Sequence, residues 1–197
     1  MATSLIAFIC TYEVPHEVSR SSSTTESLLT GSQTLSSIFN AAYMPANKAA
    51  GAPTLYFLPD ASKVAVEAAR RPTRLPLDPE FESTFINWPL ERIAQFLQEH
   101  SERRLNDRLF VVADRRTAAD ETLLLVQRWT HDDDSGFEDN MLVAVRIAAE
   151  DINAIATYVD VGLYSVVELM TEVDADGVVR RSKEPHGGDV PAPEEQH

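Results

Sequence analysis

The chain has one cysteine in 197 residues, 17 Lys and Arg against 31 Asp and Glu, and no apolar run near the length of a membrane span. A lone Cys10 excludes an intrachain disulfide and a zinc site built on several thiolates, and it fits a reducing compartment. The shortage of basic residues leaves a net charge of −14 and a pI near 4.7. That balance argues against nucleic acid, whose binders need a basic face to displace counterions from phosphates. Anionic membrane surfaces are disfavoured on the same ground, and no segment approaches the ~20 apolar residues that cross a bilayer. Leu5-Ile-Ala-Phe-Ile-Cys10 follows no Lys or Arg and is shorter than a signal-peptide core. The chain is therefore read as soluble and cytoplasmic.

Signatures of chemistry are equally scarce. His16, His100, His131, His186 and His197 are scattered, with no His-x-x-x-His pair, and no serine sits in a Gly-x-Ser-x-Gly elbow. No metal or cofactor is expected, and the enzyme question leans towards no.

What is present is an ordered set of apolar segments. With 44% hydrophobic residues the chain is long enough for one well-buried domain. Thr54-Leu-Tyr-Phe-Leu58 reads as a strand stopped by Pro59, and Asp60 or Ser62 caps an alanine-rich helix through Ala69. Arg70, Arg71 and Arg74 suit the negative end of that helix, and Pro72 to Pro79 is a loop. Pro89 opens an amphipathic helix to Glu99, with Phe85 and Trp88 fixing its approach to the core. Leu109–Ala113, Leu123–Val126 and Met141–Ile147 are bounded by charged or turn-forming residues, as strands of a buried sheet should be. Ala149-Glu-Asp151 is a turn or short helix, and Ala156–Val161 alternates as a further strand would. Ser165 and Glu168 form a capping box, opening a helix that turns Val166, Leu169 and Met170 to the core and stops at Asp174-Ala-Asp-Gly177.

The predicted architecture is α/β, with α+β as the alternative: a single domain whose mixed sheet has about five strands, with two to four helices packed on it. Residues 1–18 are an N-terminal segment for which strand and short helix both stay open. From Ser19 to Ser37, 12 of 19 residues are Ser or Thr, too little apolar surface to offset ordering, so 19–49 reads as a linker. Leu28, Leu29, Leu35, Ile38, Phe39 and Tyr43 within it suggest a helix that docks on the main body, although Gly31 weakens it. Residues 50–181 form the domain and 182–197 a disordered acidic tail.

Arg108-Leu-Phe-Val-Val-Ala-Asp-Arg-Arg-Thr117, Glu121-Thr-Leu-Leu-Leu-Val126 and Glu168-Leu-Met-Thr-Glu-Val-Asp-Ala-Asp-Gly-Val-Val-Arg180 together resemble an uncharacterised domain of unknown function found in bacteria and fungi. The resemblance spans roughly residues 50–181. It implies an α/β domain and brings no catalytic residues, and the long acidic loop from Thr130 to Asn140 departs from its pattern.

Two sites compete for function. Asp114-Arg-Arg-Thr117 ends a strand, where α/β proteins place ligand-contacting groups, so Asp114, Arg115, Arg116 and Thr117 are candidate ligand-binding residues. The bland reading is an Asx-type turn with both arginines in water, and the residue types favour it. The second site is an acidic face. Asp132, Asp133, Asp134, Glu138 and Asp139 crowd one loop, and from Ile147 to Val179 there is no Lys or Arg while Glu172, Asp174 and Asp176 add charge. Neither acidic group has the spacing of a calcium loop; counted from Glu172, the closing position is Lys183. Such a face steers basic proteins into encounter. The leading functional reading is a non-enzymatic module binding a basic protein partner. The alternative is a small-molecule sensor or enzyme with a pocket near Asp114 and Arg115.

Overall fold

Strict alternation of buried side chains along the strands builds two cores, one on each face of a single mixed sheet. The computed structural model describes residues 5–13, 31–43, 54–74, 77–78, 81–100, 105–129 and 140–181. In chain order the elements are β1 (Leu5–Cys10), α1 (Gly31–Tyr43), β2 (Leu55–Phe57), α2 (Lys63–Ala68), α3 (Leu90–His100), β3 (Leu105–Ala113), α4 (Thr117–Asp120), β4 (Thr122–Arg128) and β5 (Leu142–Ala148). A 3-10 turn at Ala149–Asp151 then runs into α5 (Ile152–Asp160), followed by α6 (Val166–Leu169) and β6 (Val178–Val179). The strand order is β2-β1-β3-β4-β5-β6, with β4 antiparallel to its neighbours and the other pairs parallel. The expected mixed sheet is thus present, α+β in character, with six strands rather than five.

The N-terminal segment supplies the strand that the sequence left undecided. Ile6, Ala7, Phe8, Ile9 and Cys10 have no solvent exposure, because β1 lies between β2 and β3 and is covered on both faces. On one face Phe8 meets Phe39 of α1 edge to face at 4.8 Å, and Phe57 of β2 meets Phe81 at 4.9 Å. On the other, Ala7 and Ile9 share a core with Val66 of α2 and Ile93 and Leu97 of α3. The docking helix read from Leu35, Ile38 and Phe39 is α1, and those three residues are buried. The sheet therefore draws on chain before residue 50. Residues 14–30, 44–53 and 182–197, which hold most of the expected linker 19–49 and the expected tail, lie outside the described residues.

The crossover from β1 to β2 runs over the α1 face, and that from β2 to β3 returns past β1 over the opposite face. Opposite direction on opposite faces gives the two crossovers the same hand. The link from β5 to β6 passes over the α1 face but moves the other way across the sheet, so its hand is opposite, and it ends in a strand of only two residues.

Local signals account for the helix boundaries. Ser62 caps α2 by accepting from the Ala65 N–H at 3.1 Å, and Ser165 and Glu168 form the expected capping box on α6. Phe85 is buried against Trp88 at 5.1 Å and Phe96 at 5.6 Å, with the Arg92 guanidinium over the Trp88 ring, so this pair locks α3 as expected. Two expectations are corrected. Ala156–Val161 is not a strand but the end of α5, because Ile152, Ile155, Ala156 and Val159 recur at helical spacing and are buried together, which outweighs the local alternation. Met170 lies past the end of α6 and is half exposed, leaving Val166 and Leu169 to meet the core.

A fragment beginning at residue 50 lacks β1, the strand that lies between β2 and β3. It is expected to show no cooperative urea transition, whereas the full chain unfolds in one; a cooperative transition in the fragment would show that β3 can pair with β2 directly. Phe8→Ala in the full chain is expected to cost about 3–5 kcal/mol in the same assay.

Candidate functional site

Asp114 follows the last residue of β3, and the turn that carries the chain into α4 is built on its side chain. Its Oδ1 accepts from the Arg116 N–H at 3.0 Å, the Thr117 N–H at 3.1 Å and the Thr117 hydroxyl at 3.2 Å. The Thr117 hydroxyl in turn accepts from the Asp114 N–H at 3.0 Å. Its Oδ2 pairs with the Arg146 guanidinium, which reaches over from β5 and also donates to the Thr122 hydroxyl at 3.1 Å. Burial pushes the Asp114 carboxyl up, but the bonds from Arg146 and Thr117 outweigh it and hold the group below the ordinary carboxylate range.

The pairing extends outward. Asp120 accepts from Thr122 and, at 2.6 Å, from Arg116 Nε, and Arg116 Nη2 donates to the Asp176 carbonyl at 3.1 Å. Asp176 and Asp174 both pair with Arg180, at 2.7 and 3.0 Å, and the Arg180 bond holds the Asp176 carboxyl down at about 2. Three of the four ligand candidates, Asp114, Arg116 and Thr117, are thus committed to a turn and an ion-pair chain that ties β3, β4 and β5 to the loop before β6. Arg115 differs: it is exposed and forms no ion pair among the described residues.

Of the acidic-face candidates, Asp132, Asp133, Asp134, Glu138 and Asp139 lie outside the described residues. Glu172, Asp174 and Asp176 are exposed, and arginines just past the cation-free stretch neutralise part of their charge: Arg181 pairs with Glu172 at 3.0 Å, and Arg180 with the two aspartates. Among the described residues no group of three His, Cys, Asp or Glu side chains is placed to hold a metal, and no helix is long and apolar enough to cross a membrane.

Residues 60–182 match a domain of unknown function, DUF6924. The chain belongs to this family. The match agrees with the resemblance drawn from the Asp-Arg-x-Thr and Val-Asp-x-Asp-Gly motifs, and both motifs anchor the ion-pair chain just described. No curated protein and no solved structure matches the chain. The DUF6924 match starts after β2, so β1, α1 and β2 precede the matched segment although they share its sheet.

Two features escaped sequence reasoning. Arg128 has a side chain only 6% exposed, donating to Asp107 at 3.1 Å and Asn140 at 3.2 Å, with its Nε–H buried and lacking an acceptor among the described residues. It lines a groove of about 580 Å³ between α3 and the end of the β4–β5 pair, rimmed by Glu91 and Glu99. Tyr12, 5% exposed, has a buried hydroxyl with no hydrogen-bond partner among the described residues. Burial chiefly, then nearby Cys10 and Asp114, push its pKa up, so the phenol stays protonated. Burial pushes the Cys10 thiol up to about 11, which keeps it unreactive. Unpaired polar atoms leave no composition signal, so neither was visible in the sequence.

Asp114→Asn is expected to cost about 1–3 kcal/mol at neutral pH, because Arg146 loses its charge partner in a half-buried site. A lowered native pKa stabilises the fold above the unfolded value near 3.9, and that gain is lost as pH falls through the native value. Denaturant titrations between about pH 5 and 3 should show a shallower loss of stability for the variant than for the parent.

Proposed function

We propose that this chain is an interaction module that docks a basic, partly apolar protein segment on the surface formed by residues 161–176. The observation that carries this reading is a set of exposed large apolar residues in one short stretch: Val161 (57%), Leu163 (65%), Met170 (49%) and Val173 (38%). Their backbones are held together across the surface. Tyr164 lies under the Arg181 guanidinium at 4.2 Å, and Arg181 reaches Glu172 at 3.0 Å, so the turn after α5 and the segment after α6 share one side. Apolar residues presented this way in a rigid frame are what a partner buries.

Charge selects the partner. Asp160, Glu168, Glu172, Asp174 and Asp176 lie on or beside this stretch against Arg180 and Arg181, and the whole chain carries −14. A cationic segment gains attraction during approach and then covers the apolar residues, whereas an acidic one is repelled. Asp114 supports the same preference over an enzyme reading at that position, since its carboxylate is occupied by Arg146 and the α4 turn.

The test is capture from extract with the full chain and with the double variant Leu163→Ser, Met170→Ser. Both sites are exposed, so stability should move by less than about 0.5 kcal/mol each. Basic proteins held at low salt, released at high salt and lost with the double variant are the expected result. Retention unchanged by the double variant would move the contact off this surface.

A further inference from the structure

In a chain of net charge −14, Arg70, Arg71 and Arg74 follow α2 closely, and no Asp or Glu lies between Ala68 and Leu77. All three are exposed and form no ion pair or side-chain hydrogen bond among the described residues. The end of α2 does not account for them. That helix has six residues, and its Val66 and Ala68 carbonyls accept from the backbone N–H groups of Ala69 and Arg70, not from a guanidinium.

Two of these arginines line a cavity. β2 is an edge strand of the sheet, and the chain returning from α2 lies along its open side: the Thr73 N–H donates to the Leu55 carbonyl at 3.2 Å, and the Thr73 hydroxyl oxygen accepts from the Phe57 N–H at 2.7 Å. Pro72, with its fixed φ, directly precedes that anchor, so Arg71 and Arg74 flank a segment pinned at its centre. Beside it opens a cavity of about 390 Å³, within the span of about 300–1,000 Å³ typical of small-ligand sites. Arg71, Thr73 and Arg74 line it together with Phe57, Leu77 and Phe81, which are buried and give it an apolar, largely aromatic floor. The Thr73 hydroxyl keeps its own O–H without an acceptor among the described residues.

We propose that this cavity binds a small aromatic carboxylate, with Arg71, Arg74 and the Thr73 hydroxyl as donors to the carboxylate and Phe57, Leu77 and Phe81 as the surface that takes the ring. A guanidinium is a planar fork that meets a carboxylate through two parallel hydrogen bonds. The lining carries two arginines against one carboxylate, Asp78, which has an interaction of its own, so its net charge suits a monoanion. A dianion such as phosphate is opposed by Asp78 and by the acidic surplus of the chain. The floor supplies what a bare carboxylate cannot use: a ring leaves water there and meets aromatic side chains. β2 and β6 are the two edges of the sheet, and the 161–176 surface lies on the link that leads to β6, so either reading can fail alone.

The experiment titrates the full chain at neutral pH with benzoate as probe, read by calorimetry and by saturation transfer from the protein to the benzoate ring protons. Acetate, benzyl alcohol and inorganic phosphate at matched ionic strength are the comparisons. Benzoate is expected to bind saturably. Acetate, which lacks the ring, benzyl alcohol, which lacks the charge, and phosphate should each bind at least about tenfold more weakly. Arg71→Gln and Arg74→Gln should each weaken benzoate about tenfold. Both sites are exposed and unpaired, so the thermal midpoint without ligand should stay at the parent's value. Absence of saturable benzoate binding, binding that survives the two substitutions together, or acetate, phosphate or benzyl alcohol binding as tightly as benzoate would overturn the proposal.

Discussion

Every layer of this structure is arranged around β1, a strand buried on both faces and hydrogen-bonded along both edges. A strand in that position needs a helix layer above and below, because each pleat points an apolar side chain away from the sheet and neither side tolerates water. The chain meets this demand with α1 against Phe8 and with α2 and α3 against Ala7 and Ile9. The first two crossovers follow from that geometry. So does the tight closure over the β1 end, where Ser83 and Asn87 satisfy carbonyls that no strand partner reaches.

The second half of the sheet is tied in by charge. Asp114, Arg146, Thr122, Asp120, Arg116, Asp176 and Arg180 form a continuous set of contacts from the end of β3 to the loop before β6. The short β6 has two residues of strand pairing of its own, so these contacts and the Asp151 bond to the Arg181 N–H are what fix its register. Motifs that look like chemistry in the sequence are here the fasteners of a sheet edge. Of the charged residues in the conspicuous Asp-Arg-Arg-Thr cluster, Arg115 alone has no ion pair among the described residues.

Elements with caps and flanking charges were legible: the capping box at Ser165 and Glu168, the Ser62 cap, the Phe85 and Trp88 pair before α3, and the apolar runs of β3, β4 and β5. The failures share a cause. Ala156–Val161 alternates like a strand over six residues, yet the run from Ile152 sets a helical period that only a longer window reveals. β1 is an apolar run without flanking turn residues, and its strand character comes from partners distant in sequence. The turn at Asp114 was readable from residue types, whereas the Arg146 pairing required β4 and β5 to set the register. Tyr12 could not be flagged at all, because the lack of a partner among the described residues is a property of space and not of composition.

The parallel pairing of β1 carries a kinetic consequence. Cys10 and Ala113 are neighbours in the sheet but lie about a hundred residues apart along the chain, a strongly non-local contact. At typical synthesis rates of about 5–20 residues per second, β1 leaves the ribosome roughly 5–20 seconds before β3 can pair with it. During that interval Leu5-Ile-Ala-Phe-Ile-Cys10 is an apolar strand with one edge unfilled, the kind of segment that adds to other chains when it is not shielded. The acidic surplus of the chain then has a role before the sheet is complete, since like charge keeps nascent copies apart while β1 waits for its second neighbour.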